Sequence, residues 1–223
     1  MTSYGQFCPI AKAMEILDER WTLLVVRELL LGSQHFNDLR RGVPKMSPAL
    51  LSKRLRSLTK AGIVARELNG GRTSYTLTRS GAELVEVVTA LGVWGTRWIG
   101  ELGQEDLDPH LLLWDMRRTI PVSAWPRART TVAIRFDDVP RARSWWLVVA
   151  GDDADVCDYD PGFDVAITVR TSLHALTGIW RGDATWDSSL RTGRVILEGP
   201  EQLRRALPTW IGQSTLAATP RPG

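Results

Sequence analysis

The sequence is poor in the residues that build disulfide frameworks, metal centres and membrane spans. It has two cysteines and three histidines in 223 residues. Cys8 and Cys157 are too few for a disulfide-stabilised secreted scaffold. His35, His110 and His174 lack the spacing with cysteine that a zinc site requires. No apolar run approaches the ~18–20 residues that cross a bilayer. We therefore expect a cytoplasmic protein without a metal, a cofactor or a membrane partner.

Signatures of common enzymes are absent as well. The chain has no nucleophile elbow, no phosphate-binding loop and no dinucleotide fingerprint. The first twelve residues lack the basic start and apolar centre of a secretion signal. Several aspartates follow one another after Asp152, but a calcium loop counted from Asp153 would need glycine where Asp158 stands. A solvated hairpin explains this acidic segment better, and the sequence predicts no enzyme.

Positive charge is concentrated in one segment. Residues 40–79 contain ten basic residues and one acidic residue, a net charge of +9, whereas the whole chain carries +3. A segment more charged than its parent chain indicates a surface that binds a polyanion. The alternative is an ordinary solvated basic surface. Seven of the ten tryptophans lie after residue 105, so the second half is expected to have an aromatic interior or pocket.

The order of elements in this segment is typical of a winged helix-turn-helix. A short helix from Phe36 to Arg41 precedes Ser47-Pro48, a helix start with a capping residue and a first-turn proline. The leucines of the next helix share one face, which leaves small and basic side chains on the face that would enter a major groove. Asn69-Gly70 predicts a hairpin between strands 63–68 and 73–78. The predicted DNA contacts are His35, Arg40, Arg41, Lys45, Ser47, Ala49, Ser52, Lys53, Arg56 and Arg72.

A helix predicted from Ser80 to Glu101 carries apolar residues at nearly heptad spacing. Leu84, Leu91 and Trp98 are spaced by seven residues, a pattern that favours a helix–helix interface. We expect this helix to pack with the first helix of each partner in a homodimer. The alternative is a core helix within one chain. A two-fold dimer would bind a two-fold operator on duplex DNA.

A set of motifs extends over residues 8–100. Its members are Cys8-Pro9, Arg20-Trp21-Thr22-Leu23-Leu24, Arg27-Glu28-Leu29, Gly32, Phe36-Asn37-Asp38-Leu39-Arg40, Ser47, Leu51, Leu55-Arg56, Leu58, Ala61-Gly62-Ile63-Val64, Tyr75-Thr76-Leu77-Thr78, Gly81 and Leu84. With these motifs the segment resembles the HxlR-type winged-helix transcriptional regulators. The resemblance implies a homodimeric bacterial regulator that binds DNA. The chain departs from the family pattern at Asp18-Glu19-Arg20, where the family favours glycines and lysine, and its wing is shorter.

Cys8 matches the position of the redox-sensing cysteine in some members of that family. A thiol at a helix N-terminus has its thiolate favoured by the helix dipole, and Lys12 is expected one turn away. The competing interpretation is a small packing residue.

In the second half the apolar period changes to two, which indicates strands. Helices follow them, so we predict an α+β fold whose C-terminal part is an antiparallel sheet covered by helices. The predicted organisation is a winged helix-turn-helix and dimerisation domain over 1–103, a connector over 104–129, a sheet domain over 130–214 and a tail over 215–223.

A second set of motifs lies within residues 164–210. Its members are Asp164-Val165-Ala166-Ile167-Thr168-Val169, Leu173, Leu176, Gly182-Asp183, Gly193-Arg194-Val195, Leu197-Glu198-Gly199 and Leu203. With these motifs the segment is similar to sterol carrier protein type 2 domains. The similarity implies a cavity for a small hydrophobic ligand, for which Trp146, Trp180, Trp186 and Trp210 are the candidate walls. The alternative is a filled core.

The sequence therefore predicts a dimeric transcriptional regulator controlled by such a ligand. The alternative function is a lipid or small-molecule carrier with nonspecific affinity for nucleic acid.

Overall fold

A computed structural model of the protein describes residues 3–100, 102–141 and 143–221. By compactness the chain divides into two units, one ending at Gly92 and the other starting at Val93. The division falls inside a helix, ahead of the domain boundary predicted at residue 103. Within the described residues, no helix has the length and apolar character needed to cross a membrane.

The first unit consists of helices and one hairpin. Its helices start at the predicted signals: Pro9 and Pro48 each occupy a first helical position, and the Ser47 hydroxyl accepts a hydrogen bond from the Leu50 amide at 3.3 Å. Such capping satisfies a backbone donor that the helix itself leaves unpaired. The elements are α1 (Pro9–Leu17), α2 (Thr22–Leu30), α3 (Phe36–Gly42), α4 (Pro48–Lys60), β1 (Val64–Asn69), β2 (Arg72–Leu77) and α5 (Arg79–Ala82), followed by α6 (Val85–Trp98), which crosses the division.

The core of this unit forms where α2, α3 and α4 meet. Val25, Val26, Leu39 and Leu51 are completely buried, and Leu55 is 1% exposed. Burying one such side chain contributes about 1.5–3 kcal/mol relative to exposing it. The leucine face of α4 is therefore held inward by the core of the unit, which fixes the direction of its opposite face.

The β1–β2 hairpin has a tighter turn than the sequence predicted. Asn69 pairs with Arg72 in the ladder, so the loop is Gly70-Gly71 alone. Both glycines have positive φ, 57° and 80°, as a two-residue type I′ turn requires. The Tyr75 amide donates to the Gln34 carbonyl at 2.8 Å. This bond attaches the hairpin to the turn before α3.

The long helix predicted from Ser80 is interrupted. α5 ends at Ala82, and α6 begins only at Val85. The Leu84 amide bonds to the Gly81 carbonyl at 3.2 Å, a tighter turn than an α-helix makes. Gly81 packs so closely on the Ile63 backbone carbonyl that a Cβ would collide with it. Glu101, the predicted helix end, lies outside the described residues.

The second unit is a five-stranded sheet with helices, as the α+β prediction states. The sheet is mixed, and the prediction of a purely antiparallel sheet is wrong in one pair: β3 runs parallel to β6. The strand order is β5-β4-β3-β6-β7. Its elements are α7 (Pro109–Thr119), β3 (Thr130–Phe136), β4 (Ser144–Ala150), β5 (Asp153–Cys157), β6 (Val165–Thr171), α8 (Leu173–Arg181), α9 (Trp186–Arg191), β7 (Val195–Glu198) and α10 (Glu201–Ile211).

The core of the second unit lies between the sheet and its helices. Val132, Leu147 and Ile167 of the strands pack in one cluster with Met116 of α7 and Ile179 of α8. Asp108 caps α7 by accepting from two backbone amides at 2.9 and 3.2 Å. The segment predicted as a connector thus contributes α7 to this core.

Candidate nucleic-acid interface

The outer face of α4 is a continuous stripe of small and basic side chains. Ala49, Lys53, Arg56 and Lys60 are all exposed, opposite the buried leucines. At 1.5 Å per residue the stripe is ~16 Å long, which is comparable with the ~12 Å width of a major groove. We call these four residues the α4 stripe. Lys60 belongs to it although the sequence prediction did not include it among the DNA contacts; its spacing of four residues from Arg56 was the available signal.

The start of α4 offers little steric bulk. Ser47 and Ala49 are exposed, and Ser52 is half-buried beside the stripe. Small side chains at this end permit close approach of the helix to a base-pair edge. The structure thus brings three of the predicted contacts together at the N-terminal end of the stripe.

The residues predicted to bind phosphate lie on α3 and in the turn after it. Arg40, Arg41 and Lys45 are exposed. His35 is different: its ring is half-buried, and Nδ1–H donates to the Thr73 carbonyl at 3.1 Å. His35 therefore joins the start of α3 to the hairpin. Its phosphate contact stays a prediction.

The hairpin carries two exposed arginines. Arg72 lies at the tip, directly after the Gly70-Gly71 turn, as predicted. Arg66 lies further back on β1, opposite Tyr75, and is exposed too. The sequence prediction counted Arg66 only toward net charge; alternation along β1 gave no signal for its exposure, because Arg66 is two residues from the buried Val64 and shares its face.

One basic residue of α4 is not on the outer face. Arg54 is 6% exposed. Its Nε–H donates to the Arg20 carbonyl at 3.0 Å, and its guanidinium forms an ion pair with Glu19. The ten basic residues of this segment are therefore not all available to a polyanion.

A buried carboxylate lies against the C-terminal end of α3. Glu28 is completely buried and receives two hydrogen bonds from Arg27, at 3.1 and 2.8 Å. The Arg27 guanidinium also donates to the Gly42 carbonyl at 2.9 Å. A Cβ at Gly42 would overlap the Glu28 carboxylate. The absence of a side chain at the end of α3 is what allows this ion pair to lie there.

Cys8 lies at the N-cap of α1 and is half-buried. Lys12, the cation expected near it, forms an ion pair with Glu15 at 2.9 Å. This lysine, together with the Ser3 hydroxyl and the Tyr4 amide, lowers the pKa of the Glu15 carboxyl. The positive charge of Lys12 is thus engaged on α1 itself, and the redox role of Cys8 stays a prediction.

The candidate tryptophan walls of the second unit do not surround one cavity. Trp180, Trp186 and Trp210 are buried in the core cluster. Trp146 is half-buried and alternates with the buried Trp145 on β4, so it lies on the opposite face of the sheet. The indole N–H of Trp180 donates a hydrogen bond to the Asp115 carboxylate at 2.8 Å.

Two cavities of the second unit have other linings. One of about 560 Å³ is lined by Leu190, Gly193, Val195, Ile196, Leu197, Glu201, Arg204, Arg205 and Pro208. Another of about 470 Å³ is lined by Gly100, Leu102, His174, Ala175, Gly178, Asp183, Ala184, Ser189, Arg194 and Arg221. No group of histidine, cysteine or acidic side chains among the described residues could hold a metal ion.

Comparison with known proteins finds a matching family model and several relatives of the first part of the chain. The HxlR-like helix-turn-helix family model matches residues 16–102. The HTH-type transcriptional regulator YvaP of Bacillus subtilis (strain 168) is 37% identical over 99 residues, 43% of this chain and 92% of the relative. The regulator sll1512 of Synechocystis (strain PCC 6803) is 35% identical over 111 residues, 48% and 80% of the two chains. The solved reduced form of the B. subtilis transcriptional regulator YodB is 27% identical and covers 43% of this chain and 97% of that one, with a TM-score of 0.38.

The relatives confirm two predictions made from the sequence. They are named as transcriptional regulators, which agrees with a DNA-binding protein that is not an enzyme. The family assignment rests on the match over most of the length of YvaP together with the family model. The chain therefore belongs to the HxlR-like helix-turn-helix family of transcriptional regulators.

Proposed function

We propose that the protein binds a two-fold DNA operator as a homodimer, with the α4 stripe of each protomer in the major groove. The observation that carries this proposal is the exposure of Ala49, Lys53, Arg56 and Lys60 on a helix whose other face is anchored in the core. A helix fixed in this way presents its side chains to base edges in one orientation, as sequence recognition requires.

Basic side chains around the stripe supply affinity that is independent of sequence. Arg40, Arg41 and Lys45 lie on and after α3, and Arg72 lies at the hairpin tip. Contacts of these groups with phosphates release counterions, so binding weakens steeply as salt increases. In this proposal α4 provides specificity, while α3 and the hairpin position it on the duplex.

The homodimer is supported by two helices with apolar surfaces left uncovered. None of the residues of α1 or α6 is buried. On α6, Val87, Leu91, Trp94 and Trp98 are 46–59% exposed, and on α1 Ile10 is 74% exposed. The α6 residues follow heptad spacing, which suits packing against a second helix. Exposed apolar surface of this kind marks a protein–protein interface.

Selection of bound DNA from a random pool tests the function. A homodimer with two α4 stripes is expected to enrich a two-fold consensus whose half-sites are one or two helical turns apart, ~10 or ~20 base pairs. Enrichment of no consensus would contradict the proposal. It would favour instead a small-molecule carrier with nonspecific affinity for nucleic acid.

We further propose that the second unit is a sterol carrier protein type 2-like module that binds a small hydrophobic ligand. The supporting feature is the 560 Å³ cavity, with Leu190, Val195 and Leu197 in its lining. Apolar side chains of this kind suit a small hydrophobic ligand.

Fluorescence of 1-anilinonaphthalene-8-sulfonate with the full-length protein tests this second proposal. Saturable binding is expected, and it should be weakened by Ile196→Asp, because Ile196 lines the cavity but is 49% exposed and can be replaced without unfolding. Equal, unsaturable fluorescence of both proteins would contradict the ligand site.

A further inference from the structure

Arg54 connects α4 with a turn far away in the sequence. It precedes Arg56 by two residues, yet it faces the interior and not the DNA side. Its guanidinium bonds to two consecutive residues of the segment between α1 and α2, the carbonyl of Arg20 and the carboxylate of Glu19. Arg54 is thus a direct link between α4 and that segment.

The segment is a tight turn with an unusual residue in it. The Thr22 amide donates to the Glu19 carbonyl at 3.0 Å, which closes a four-residue turn. Trp21, its third residue, has φ 77° and ψ −14°, values that the third residue of a type II turn adopts and that favour glycine. Within the part of the chain that the structure describes, it is the one non-glycine residue with positive φ. Such a conformation costs about 1–3 kcal/mol and persists only where its surroundings impose it.

Arg54 contacts the central peptide of the turn, the peptide whose orientation distinguishes the turn types. Type I and type II turns differ by a flip of the peptide between the second and third residues. That peptide contains the Arg20 carbonyl, the atom that accepts the hydrogen bond from Arg54 Nε–H. The ion pair with Glu19 holds the guanidinium in place for this bond, since Glu19 is the first residue of the same turn.

We propose that Arg54 is a positioning residue for DNA recognition, which fixes α4 against the α1–α2 turn through Glu19 and the Arg20 carbonyl. This inference rests on the proposed function, because it assigns to the contact the orientation of the α4 stripe relative to α1. α1 carries part of the apolar surface assigned to the dimer. The contact therefore sets how the stripe of each protomer is aimed at its half-site.

Glu19→Gln tests the proposal because electrostatics and positioning predict different directions of change in DNA affinity. The substitution removes one negative charge, so electrostatics alone would leave DNA binding unchanged or strengthen it. The proposal predicts the opposite for the operator selected from the random pool, an affinity about tenfold lower. Affinity for random-sequence DNA is expected not to fall. Glu19 is 53% exposed, so the variant is expected to fold, and its circular dichroism and melting temperature check this.

Arg54→Gln separates positioning from direct contact with DNA. If Arg54 acts through the turn, operator affinity falls while the slope of log affinity against log salt stays the same. A contact with phosphate would lower that slope by ~0.9 and would overturn the proposal. Arg54→Gln and Glu19→Gln disrupt the same contact. The double variant is therefore expected to lose less operator-binding free energy than the sum of the two single losses. Strictly additive losses would also overturn the proposal.

Asp18→Asn is the matched control for Glu19→Gln. It lies in the adjacent position and changes the charge equally, but its carboxylate accepts from the Tyr4 hydroxyl at 2.6 Å. Operator affinity is expected to be unchanged or slightly higher. If Glu19→Gln lowers only the melting temperature and keeps the operator preference of the wild type, the contact is merely structural and the proposal is overturned. A wild-type protein without any sequence preference would overturn the proposed function as well, which distinguishes the two failures.

Discussion

At the scale of single residues, burial decides what a charge on α4 can do. Arg54 and Arg56 are the same residue type two positions apart, yet Arg54 is 6% exposed and Arg56 lies on the exposed face. The helical repeat explains part of this difference in exposure, because it places Arg54 only ~60° from Leu51, beside the leucine face. A net charge counted along the sequence therefore overstates the charge that DNA can meet.

The partner of Arg54 could not be predicted from the sequence. Glu19 precedes it by more than thirty residues, and only the packing of α2 against α4 brings the turn into reach. The sequence did contain one signal, the departure from the family pattern at Asp18-Glu19-Arg20. Local pattern identifies exposed and buried faces well, whereas pairings between distant segments depend on the tertiary fold.

Gly42→Ala is expected to destabilise the first unit. The new methyl group would overlap the carboxylate of Glu28, which is fully buried and paired with Arg27. Overpacking of this kind costs about 1–3 kcal/mol, and displacement of the ion pair adds to the loss. Denaturant unfolding of the two proteins measures the change in free energy.

Gly178→Ala is the control for this substitution. It too replaces a helical glycine, but its Cβ would meet only Asp183 Cβ, at 3.9 Å. Its stability is expected to stay the same or to rise by up to ~1 kcal/mol, because alanine favours the helix. Equal stability of Gly42→Ala and wild type would show that the Glu28 carboxylate adjusts without cost.

At the scale of elements, the sequence predicted those that carry their own start and stop signals. α4 begins at Pro48, directly after the Ser47 cap, and Gly62 follows its end with a positive φ of 72°. Strand direction had no such signal. The parallel β3–β6 pair arises because the chain returns across the sheet after β5. An alternating apolar pattern is the same for either strand direction.

Leu91→Glu is expected to disrupt the homodimer. Leu91 is 50% exposed on α6, in the heptad row with Val87, Trp94 and Trp98. A carboxylate placed between two packed helices is unfavourable unless it is paired. Sedimentation equilibrium should therefore show a shift from dimer to monomer, together with lost binding to the two-fold operator.

Leu68→Glu provides the comparison, because Leu68 is 67% exposed on the hairpin and outside the α6 row. It is expected to leave the oligomeric state unchanged in the absence of DNA. A wild-type protein that sediments as a monomer, or a Leu91→Glu protein that stays dimeric, would place the interface elsewhere.

At the scale of the whole molecule, the excess of positive charge lies in one of the two structural units. The segment with a net charge of +9 lies entirely in the first unit, whereas residues 106–223 have a net charge of −1. The first unit is suited to a polyanion, and the second provides cavities of 470 and 560 Å³. The class of protein and the fold followed from the apolar pattern and the charge distribution. The side chains that line the cavities depend on how the helices pack on the sheet, which the sequence alone did not show.

The affinity of Lys53→Ala for the selected operator, measured over a range of salt concentrations, tests the α4 stripe most directly. Arg205→Ala, an exposed arginine on α10 of the second unit, is the control. We predict that Lys53→Ala loses ~1–3 kcal/mol of binding free energy or relaxes the choice of base at one position of each half-site, while Arg205→Ala binds like the wild type. Unchanged affinity and unchanged sequence preference in Lys53→Ala would contradict recognition by this helix face.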